Sequence, residues 1–493
     1  MNCEKCIFSE IFLRDFENKK ANLAIVSDKR SLTYGELVNE IYLAQASYEK
    51  CGIAKGTRVV VFMENSPEFT VAFMALNLCE AVIIPIYVKL GSEKLSNILR
   101  FYEPSFIVTN SFNFENLNQV TRTYGSFVKK VLIHDEKGDI EVINVDGKEA
   151  IVPINDSVAI ILSSSGTTSD PKGIMLTNDN IISNTSSIAS YMGIEGKDRI
   201  FMVKSINHSS SITGELLVGL YAGCSIYIHS GIMHPRLLLD SMQKNKISVF
   251  FAVPSILNDL TKCKNIKDFD LQSLRIIHFY GAVMNGSDMD ALFETFPKCE
   301  MIYSYGLTEA SPRVTYAKRD RLMKFSGTSG IALPSVSVRV EYGVDEKTGS
   351  NEGEIVVKGP NVMCGYFKRP DLTQKVLRND ELYTGDLGHV DEYGNLYVMG
   401  RKDNMIIKNG RNVFPEEIEK IIAALDEVAE VLVSEKNEKI VAYVVPSLES
   451  INDKKLIAFC RENLEDYKVP DKIVKVQELK KNANNKLIRN IEY

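Results

Sequence analysis

Residues 163–173 have the composition of a loop that binds phosphate groups. The segment reads Ser-Ser-Ser-Gly-Thr-Thr-Ser-Asp-Pro-Lys-Gly and directly follows the apolar run 158–162. Small residues let backbone N–H groups approach an anion, hydroxyl groups donate further hydrogen bonds, and Lys172 supplies a countercharge. A solvated turn has a similar composition, so the residue order must decide. A P-loop ATPase requires Gly before the Lys and Ser or Thr after it, and Lys172 has neither.

Two acidic residues further along have the chemistry to bind other parts of a nucleotide. Glu309 is the only acid in 303–310, Tyr-Ser-Tyr-Gly-Leu-Thr-Glu-Ala, and Mg²⁺ prefers one or two carboxylates together with substrate phosphates. Asp386 lies in 383–388, Tyr-Thr-Gly-Asp-Leu-Gly, and a carboxylate can accept two hydrogen bonds from a vicinal diol such as that of ribose. A strand end or a turn would explain either run without a ligand.

A basic segment near the end of the chain could neutralise charge that develops during a reaction. Residues 466–493 contain seven Lys or Arg against four acids, although the whole chain has a net charge of −6. Lys486 lies within this segment. A basic tail is more often merely solvated, so its composition alone predicts no role.

The order of these segments resembles the adenylate-forming family of acyl-CoA synthetases, peptide-synthetase adenylation domains and luciferases. Its signature loop is Ser-Ser-Gly-Thr-Thr, three further residues and Lys-Gly, as found at 164–173. The runs 303–310, 383–388, 391–403 and 408–419 are similar to later motifs of the family in the same order. The resemblance therefore spans nearly the full length of the chain.

This resemblance implies an AMP-forming acyl-CoA ligase. Such an enzyme uses ATP and Mg²⁺ to activate a small-molecule carboxylic acid as an acyl-adenylate, releases pyrophosphate, and transfers the acyl group to coenzyme A. The sequence leaves open the loading of a carrier protein through its phosphopantetheine thiol. A non-catalytic nucleotide-binding module is the alternative from another class, whereas nothing positive supports a luciferase-like oxygenase.

The resemblance also implies nucleotide and catalytic roles for individual residues. ATP contacts are implied for the phosphate loop and three later motifs: Ser163, Ser164, Ser165, Gly166, Thr167, Thr168, Lys172, Gly281, Ala282, Tyr305, Gly306, Asp386 and Arg401. Magnesium contacts are implied for Thr167 and Glu309. Catalytic roles are implied for Thr308, Glu309 and Lys486, of which Lys486 would bridge the substrate carboxylate and the α-phosphate.

The resemblance implies roles in acyl binding, thiol binding and domain motion for four further residues. His208 and Tyr280 would line the acyl pocket, and Gly410 would line the tunnel for the incoming thiol. Asp403 would be the hinge about which a small domain rotates between the two half-reactions. Each position also has a purely structural explanation, such as a core histidine or a hairpin glycine.

The sequence departs from the family pattern at positions that affect these expectations. The run 279–284 resembles the family's segment beside adenine, with Met284 in place of a Pro. The run 479–489 resembles the family's C-terminal motif with the catalytic lysine, with Lys480 and Asn485 in place of Pro and Gly. Ser210 stands where amino-acid-activating members hold an acid for the substrate ammonium. This difference argues against an α-amino acid and favours a fatty or aryl acid.

Length and periodicity predict two α/β domains. The chain has 493 residues, more than one hydrophobic core normally supports. Apolar runs at 58–62, 81–87, 157–162 and 249–253 read as strands, and amphipathic runs at 34–50 and 68–78 read as helices. We expect a large N-terminal domain of helix-covered β-sheets at 1–400 and a small mobile α+β domain at 401–493.

Composition excludes several classes of protein. A net charge of −6 argues against a general nucleic-acid binder. No apolar run approaches the ~18 residues of a membrane span and no signal-peptide pattern is found, so we expect a cytoplasmic protein without a transmembrane segment. The nine cysteines are expected to be reduced thiols. Cys3 and Cys6 form a C-x-x-C pair without the further ligands that a zinc site needs.

Overall fold

The computed structural model describes most of the chain. The described residues are 8–12, 16–115, 117, 127–145, 147, 155, 157–163, 172–229, 232–282, 284, 286–342, 352–408, 411–425, 427–437, 439–447, 452–481 and 487–489. Their strands and helices form a large α/β N-terminal part and a small C-terminal part. The predicted fold class is confirmed, whereas the boundary after Gly400 stays a prediction.

One large sheet contains nine strands of the described residues. In spatial order they are Ile331–Ala332, Arg313–Lys318, Glu300–Gly306, Ile276–Tyr280, Val249–Ala252, Arg199–Met202, Ser225–Ile228, Leu23–Val26 and Ser31–Thr33. The pairings from Glu300–Gly306 through Leu23–Val26 are parallel, and the outer pairings are antiparallel. Parallel strands end along one edge of the sheet, where α/β proteins bind their ligands.

A second large sheet contains eight described strands. They lie in the order Gly365–Phe367, Gly173–Thr177, Val158–Ser163, Val82–Pro85, Arg58–Phe62, Phe106–Asn110, Lys130–His134 and Ile140–Asn144. Its central pairings are also parallel. Arg58–Phe62 and Val82–Pro85 are buried along their whole length, which explains why their sequences are continuous apolar runs.

The strands predicted from apolar runs are confirmed with small shifts at their ends. The runs 58–62, 81–87, 157–162 and 249–253 are the strands Arg58–Phe62, Val82–Pro85, Val158–Ser163 and Val249–Ala252. The helices predicted at 34–50 and 68–78 are Tyr34–Cys51 and Pro67–Leu78. Thr33 and Glu36 form a capping box at the start of Tyr34–Cys51, and Gly52 ends it with φ 97°.

The other α-helices cover the sheets or form part of the C-terminal region. Within the described ranges they are Phe8–Phe12, Ser92–Tyr102, Asn178–Met192, Ser209–Ser211, Leu217–Ala222, Pro235–Lys244, Pro254–Thr261, Gly286–Thr295, Arg319–Lys324, Pro370–Val376, Pro415–Ile422 and Asp453–Asn463. None of the described helices is both long and apolar enough to cross a membrane.

One helical segment changes its geometry along its length. It begins at Ser209–Ser211, continues as a π-helix at Ile212–Leu216, and ends as Leu217–Ala222. A π-turn holds more residues than an α-turn, so apolar spacing of 3.6 cannot reveal it. Such turns are frequent at functional sites.

The main core lies between the two large sheets. Val59 and Val61 of one sheet share a buried cluster with Ile200 and Met202 of the other. Phe73 of the helix Pro67–Leu78 is fully buried in the same cluster. Separate clusters cover the outer faces of both sheets, so each large sheet is buried on two sides.

Smaller sheets complete the described structure. One contains Ser337–Glu341, Gly353–Lys358, Glu381–Val390, Leu377–Arg378 and Leu396–Arg401. The C-terminal part contains the hairpin Ile406–Lys408 with Arg411–Val413 and the sheet Val428–Lys436, Lys439–Pro446 and Lys472–Lys475. It has its own buried cluster, which includes Ile418 and Cys460. A separate core is what allows a segment of this size to act as a domain.

Candidate active site

Two of the predicted nucleotide motifs lie at the ends of neighbouring parallel strands, at one edge of the nine-stranded sheet. Ile276–Tyr280 pairs with Glu300–Gly306, with Tyr280 opposite Ser304. Gly281 and Ala282 follow the first strand and are exposed, and a 3₁₀ turn at Thr308–Ala310 follows the second. The edge therefore presents backbone and side-chain groups to a crevice, as expected for a ligand site in an α/β sheet.

The predicted ribose residue contacts both of its predicted neighbours. The hydroxyl of Tyr305 donates to Oδ2 of Asp386 at 2.5 Å, and Nη1 of Arg401 donates to Oδ1 at 3.1 Å. Asp386 lies directly opposite Arg401 in the antiparallel pair Glu381–Val390 and Leu396–Arg401. Nη1 of Arg401 also donates to the carbonyl oxygen of Thr384 at 2.9 Å. Two residues from different sheets, Tyr305 and Arg401, thus converge on the carboxylate of Asp386.

Thr308 and Glu309 are each held by a residue from another element. Oγ1 of Thr308 lies 3.2 Å from Oγ of Ser209, at the start of the partly π-helical segment. Oε1 of Glu309 accepts from the hydroxyl of Tyr366 at 2.9 Å. Burial raises the pKa of Tyr366, and the neighbouring carboxylate of Glu309 adds to the shift. The phenol stays protonated and can keep Glu309 in place.

The phosphate loop connects two antiparallel strands, Val158–Ser163 and Gly173–Thr177. Ser163 pairs with Gly173, and Oγ of Ser163 lies 2.8 Å from the hydroxyl of Tyr102. Lys172 is half-buried at the end of the loop. Ser164, Ser165, Gly166, Thr167 and Thr168 lie outside the described residues.

Tyr366 links the phosphate loop to the magnesium candidate. It stands opposite Ile174 in the pair Gly365–Phe367 with Gly173–Thr177, and it donates to Glu309. The backbone N–H of Met363 also donates to the carbonyl oxygen of Glu309 at 2.8 Å. Glu309 is therefore held beside the strand that leaves the loop, which is the position that a shared phosphate and metal site requires.

Gly306 cannot carry a side chain without a shift of the backbone. A Cβ atom there would lie 1.9 Å from the carbonyl oxygen of Pro312. We expect Gly306→Ala to lower the free energy of unfolding by about 1–3 kcal/mol, as other overpacked sites do, and to weaken ATP binding. Urea unfolding and equilibrium ATP titration measure the two effects.

Gly286→Ala is the matched control for this change. A Cβ atom at Gly286 meets nothing within 4 Å, and the residue begins the helix Gly286–Thr295. Alanine there should change the free energy of unfolding by less than about 0.5 kcal/mol. Equal urea midpoints for the two variants would contradict the close approach at Gly306.

The two predicted acyl-pocket segments meet at Tyr280. The hydroxyl of Tyr280 donates to Oε1 of Glu215, and a side-chain hydrogen bond also joins it to Ser210. His208 immediately precedes the helix Ser209–Ser211 and is half-buried. Burial raises the pKa of Glu215 to about 7, although the ammonium group of Lys204 opposes the shift. A carboxyl group thus lies beside Tyr280, although the sequence analysis found Ser210 in place of the acid that some relatives carry.

The remaining predicted site residues are Asp403, Gly410 and Lys486. Gly410 and Lys486 lie outside the described residues, as do Cys3 and Cys6 near the start of the chain. Asp403 lies in the 3₁₀ turn Lys402–Asn404, with its side chain 86% exposed and 3.8 Å from Nη2 of Arg401.

The segment that carries Lys486 is bracketed by described contacts. Lys481 pairs with Leu487, and Arg489 forms a double hydrogen bond with Glu419 at 2.6 and 2.8 Å. Arg489 also lies 3.2 Å from Glu416. A bidentate guanidinium–carboxylate pair fixes both direction and position, so the two ends of the Lys486 segment are anchored to the small domain.

Sequence reasoning missed Tyr366, Glu215, Arg313 and Lys204. Their contacts join residues 33 to 98 positions apart, such as Tyr366 to Glu309 and Arg313 to Tyr280 and Glu215. Arg313 closely follows the motif 303–310 and its guanidinium carbon lies 3.7 Å from the ring centre of Tyr280. A charged residue directly after a nucleotide motif was the available signal.

The sequence matches two family models. Residues 12–367 match the model of the AMP-binding enzymes, and residues 417–486 match that of the AMP-binding enzyme C-terminal domain. The first match covers well over half of the chain, and the order of the two agrees with the two parts of the fold.

Individual relatives agree with the family models. The 2-succinylbenzoate–CoA ligase of Bacillus velezensis is 30% identical over 95% of this chain and 94% of that protein. A long-chain-fatty-acid–CoA ligase of Bacillus subtilis is 28% identical over 93% and 89%. The o-succinylbenzoate coenzyme A synthetase of Bacillus subtilis, solved with ATP and magnesium, has a TM-score of 0.84 at 25% identity, covering 98% of both chains. Its complex with the acyl-adenylate OSB-AMP has a TM-score of 0.82. This chain therefore belongs to the AMP-binding enzyme family, and it is an AMP-forming acid–thiol ligase.

Proposed function

We propose that the enzyme activates an aryl carboxylic acid with ATP and transfers the acyl group from the adenylate to coenzyme A. The observation that carries the proposal is the arrangement of contacts along the segment 305–309. Tyr305 at one end contacts Asp386, and Thr308 and Glu309 at the other end contact Ser209 and Tyr366. One short segment thus connects a diol-binding carboxylate with candidate phosphate and metal ligands.

The nucleoside half of ATP is bound by residues from two sheets. Asp386 accepts hydrogen bonds from the two ribose hydroxyls, because a carboxylate offers two acceptor oxygens to a vicinal diol. Arg401 and Tyr305 hold that carboxylate in place. The backbone approaches the nucleotide closely at Gly281, Ala282 and Gly306, since residues with little or no side chain allow close approach.

The phosphates are bound by the loop from Ser163 to Lys172 and by Thr308. Glu309 and Thr167 supply the protein oxygens for Mg²⁺, which prefers few carboxylates and several phosphate or water oxygens. No three His, Cys, Asp or Glu side chains of the described ranges gather to hold a metal alone, and the donor set at Glu309 fits an ion shared with the nucleotide. Bound Mg²⁺ neutralises charge on the transferring phosphorus.

Acid activation depends on charge neutralisation and positioning. The substrate carboxylate attacks the α-phosphorus, pyrophosphate leaves, and Lys486 bridges the carboxylate and the α-phosphate as charge accumulates there. Thr308 donates to the same phosphate. Positioned donors lower the barrier because no solvent has to reorganise during the step.

Adenylation uses the face of the small domain that carries Lys486, and the transfer to the thiol uses the face that carries Gly410. We place the hinge at Asp403, which lies in an exposed turn between the two parts of the fold. Rotation there withdraws Lys486 and brings Gly410 to the thiol tunnel, where the absence of a side chain admits a pantetheine arm. The cytoplasmic location expected from the sequence stays a prediction.

An aryl acid is favoured over a fatty acid by two observations. The relatives include ligases named for 2-succinylbenzoate. The acyl pocket of this chain also contains the charged groups Glu215, Lys204 and Arg313 beside Tyr280, and burying an apolar chain against such groups is costly.

Acid-dependent exchange of labelled pyrophosphate into ATP tests this function. We expect exchange with aryl acids such as 2-succinylbenzoate, at least about tenfold above that with a C16 fatty acid or an α-amino acid, since buried polar groups discriminate strongly. Release of ADP rather than AMP with every acid would refute the adenylation chemistry. A preference for the fatty acid would refute only the acid class.

The acceptor is tested by supplying thiols to the preformed adenylate. Coenzyme A should be acylated faster than any carrier protein that bears phosphopantetheine. Faster acylation of a carrier protein would favour the loading enzyme instead. No exchange and no thioester across a broad acid panel would favour a non-catalytic nucleotide-binding module.

A further inference from the structure

A cluster of charged residues surrounds Tyr280 in the proposed acyl pocket. It consists of Arg313, Tyr280, Glu215 and Lys204, and we refer to it as the Arg313 cluster. The guanidinium carbon of Arg313 lies 3.7 Å from the ring centre of Tyr280, and Nζ of Lys204 lies 4.3 Å from the same centre. Glu215 accepts a hydrogen bond from the Tyr280 hydroxyl. Tyr280 therefore connects both cations with the acid.

One edge of the Arg313 guanidinium has no hydrogen-bond partner among the described residues. Arg313 is 3% exposed, and its Nε and Nη2 atoms are both buried without a partner. Buried donors in native proteins are almost always satisfied, so an exception needs an explanation. Nε and Nη2 together form the edge that matches the two oxygens of a carboxylate.

Other polar atoms on the partly π-helical segment also have no hydrogen-bond partner among the described residues. They are Oε2 of Glu215 and the hydroxyls of Ser211 and Thr213. A Cβ atom at Gly214 of the same segment would lie 3.2 Å from Nη2 of Arg313, so the segment passes close to the guanidinium. Unsatisfied donors of the guanidinium and unsatisfied atoms on the segment beside it indicate a site for a polar group of a ligand.

The charges of the cluster favour an anion. Burial raises the pKa of one nearby carboxylic acid, Glu215, and the charge of Arg313 opposes this rise. The same charge opposes the rise that burial causes in the pKa of the uncharged neighbours Tyr191, Tyr303 and Tyr280, and it adds to the fall that burial causes in the pKa of His278. Two cations thus face one acid that already binds a phenol. An additional anion would be attracted by both cations, whereas a further cation would be repelled by them.

The Arg313 cluster and the reacting centre lie at different positions along one helical segment. Ser209 contacts Thr308, whereas a Cβ atom at Gly214, five positions later, would lie 3.2 Å from Nη2 of Arg313. Because part of the segment is π-helical, the α-helical rise of about 1.5 Å per residue gives an upper bound of about 7.5 Å for their separation along the axis. A group bound at Arg313 is therefore distinct from a carboxylate that reacts beside Thr308.

We propose that Arg313 determines specificity by binding a second carboxylate of the acid substrate, at a position distinct from that of the carboxylate that is adenylated. The proposal rests on the proposed function, because it requires the reacting carboxylate to lie at Thr308. Tyr280 stacks on the guanidinium and is held by Glu215, so these two residues position Arg313.

Matched acids that differ by one carboxylate test the proposal. The pair is 2-succinylbenzoate and 4-oxo-4-phenylbutanoate, which is the same acid without the ring carboxylate. In pyrophosphate exchange the wild-type enzyme should prefer the diacid by at least about 100-fold in kcat/KM. Arg313→Met should remove most of that preference by raising KM for the diacid, with little change for the monoacid. Arg313→Lys should restore about a tenth of it, because one point charge replaces a two-donor edge.

Arg319→Met is the matched control. Arg319 also stacks on a ring, that of Phe293 at 4.7 Å, but its guanidinium donates to the carbonyl oxygens of Phe296 and Cys299. Its loss should leave the ratio between the two acids unchanged. Thermal unfolding and ATP titration identify any Arg313 variant that fails to fold, and the wild-type comparison needs no variant.

Several outcomes would overturn the proposal. They are a wild-type preference for the monoacid, equal rates for the two acids, or equal loss of both in Arg313→Met. Efficient exchange with an acid that has no second anionic group would do the same. Absence of exchange with every acid would instead overturn the proposed function, so the two failures are distinguishable.

Discussion

Lys486→Ala is expected to slow adenylate formation by roughly 1,000-fold, the upper range for loss of one charge-stabilising donor. The proposed role of Lys486 is to neutralise charge between the carboxylate and the α-phosphate, and this charge develops only in the first half-reaction. Formation of the thioester from supplied acyl-adenylate and coenzyme A should therefore stay within about threefold of the wild-type rate. Single-turnover assays of each half-reaction measure the two rates separately.

A surface lysine of the same domain provides the control. Lys454 is exposed at the start of the helix Asp453–Asn463, and Lys454→Ala should leave both half-reactions unchanged. The contacts of Arg489 with Glu419 anchor the segment that carries Lys486, so alanine at 486 should not release the tail. Equal losses in both half-reactions would show that Lys486 is structural or serves both steps.

Much of the fold could be predicted because its strands are buried on both faces. A run such as Arg58–Phe62 has no polar alternation, and flanking polar residues and turns mark its ends. Helices such as Tyr34–Cys51 have capping residues at both ends that can be read directly from sequence. The order of strands in the two sheets could not be predicted, because pairing partners such as Ile276–Tyr280 and Glu300–Gly306 are chosen by tertiary packing.

The site was predictable where one short motif contains the chemistry. Asp386 and Arg401 were expected at the ribose and Tyr305 elsewhere on the nucleotide, and both Arg401 and Tyr305 contact Asp386. The link from Glu309 to Tyr366 was not predictable, since Tyr366 lies 57 residues away and looks like an ordinary strand tyrosine. A hydrogen bond between distant residues leaves no periodic signal in either segment.

Glu215 shows a different reason for failure. It lies in the π-helix Ile212–Leu216, where the number of residues per turn differs from that of an α-helix. Comparison position by position found Ser210 where some relatives of the family hold an acid, and it stopped there. The local change in helical geometry brings Glu215 to Tyr280, so the charge of the pocket could be recognised only from the structure.

Asp386→Asn is expected to reduce kcat/KM for ATP by roughly 100- to 1,000-fold, because hydrogen bonds to a charged group contribute about 1.5–3 kcal/mol each. An amide has one acceptor oxygen and no charge, so it cannot offer a separate charged oxygen to each ribose hydroxyl and accepts more weakly. It also loses the ion pair with Arg401, whose Nη1 lies 3.1 Å from Oδ1. Pyrophosphate exchange at varied ATP concentration measures the loss, most of which should fall in KM for ATP.

Deoxynucleotides separate loss of ribose contacts from a general disturbance of the site. The wild-type enzyme should prefer ATP to 2′-deoxy-ATP by about tenfold or more, and Asp386→Asn should discriminate much less, because the hydroxyl has already lost its acceptor. Glu381→Gln is the control, since Glu381 begins the same strand but pairs with Arg339 at the surface. An undiminished preference for ATP in Asp386→Asn would place the ribose elsewhere, and the contact of Asp386 with Tyr305 would then be a link between two sheets.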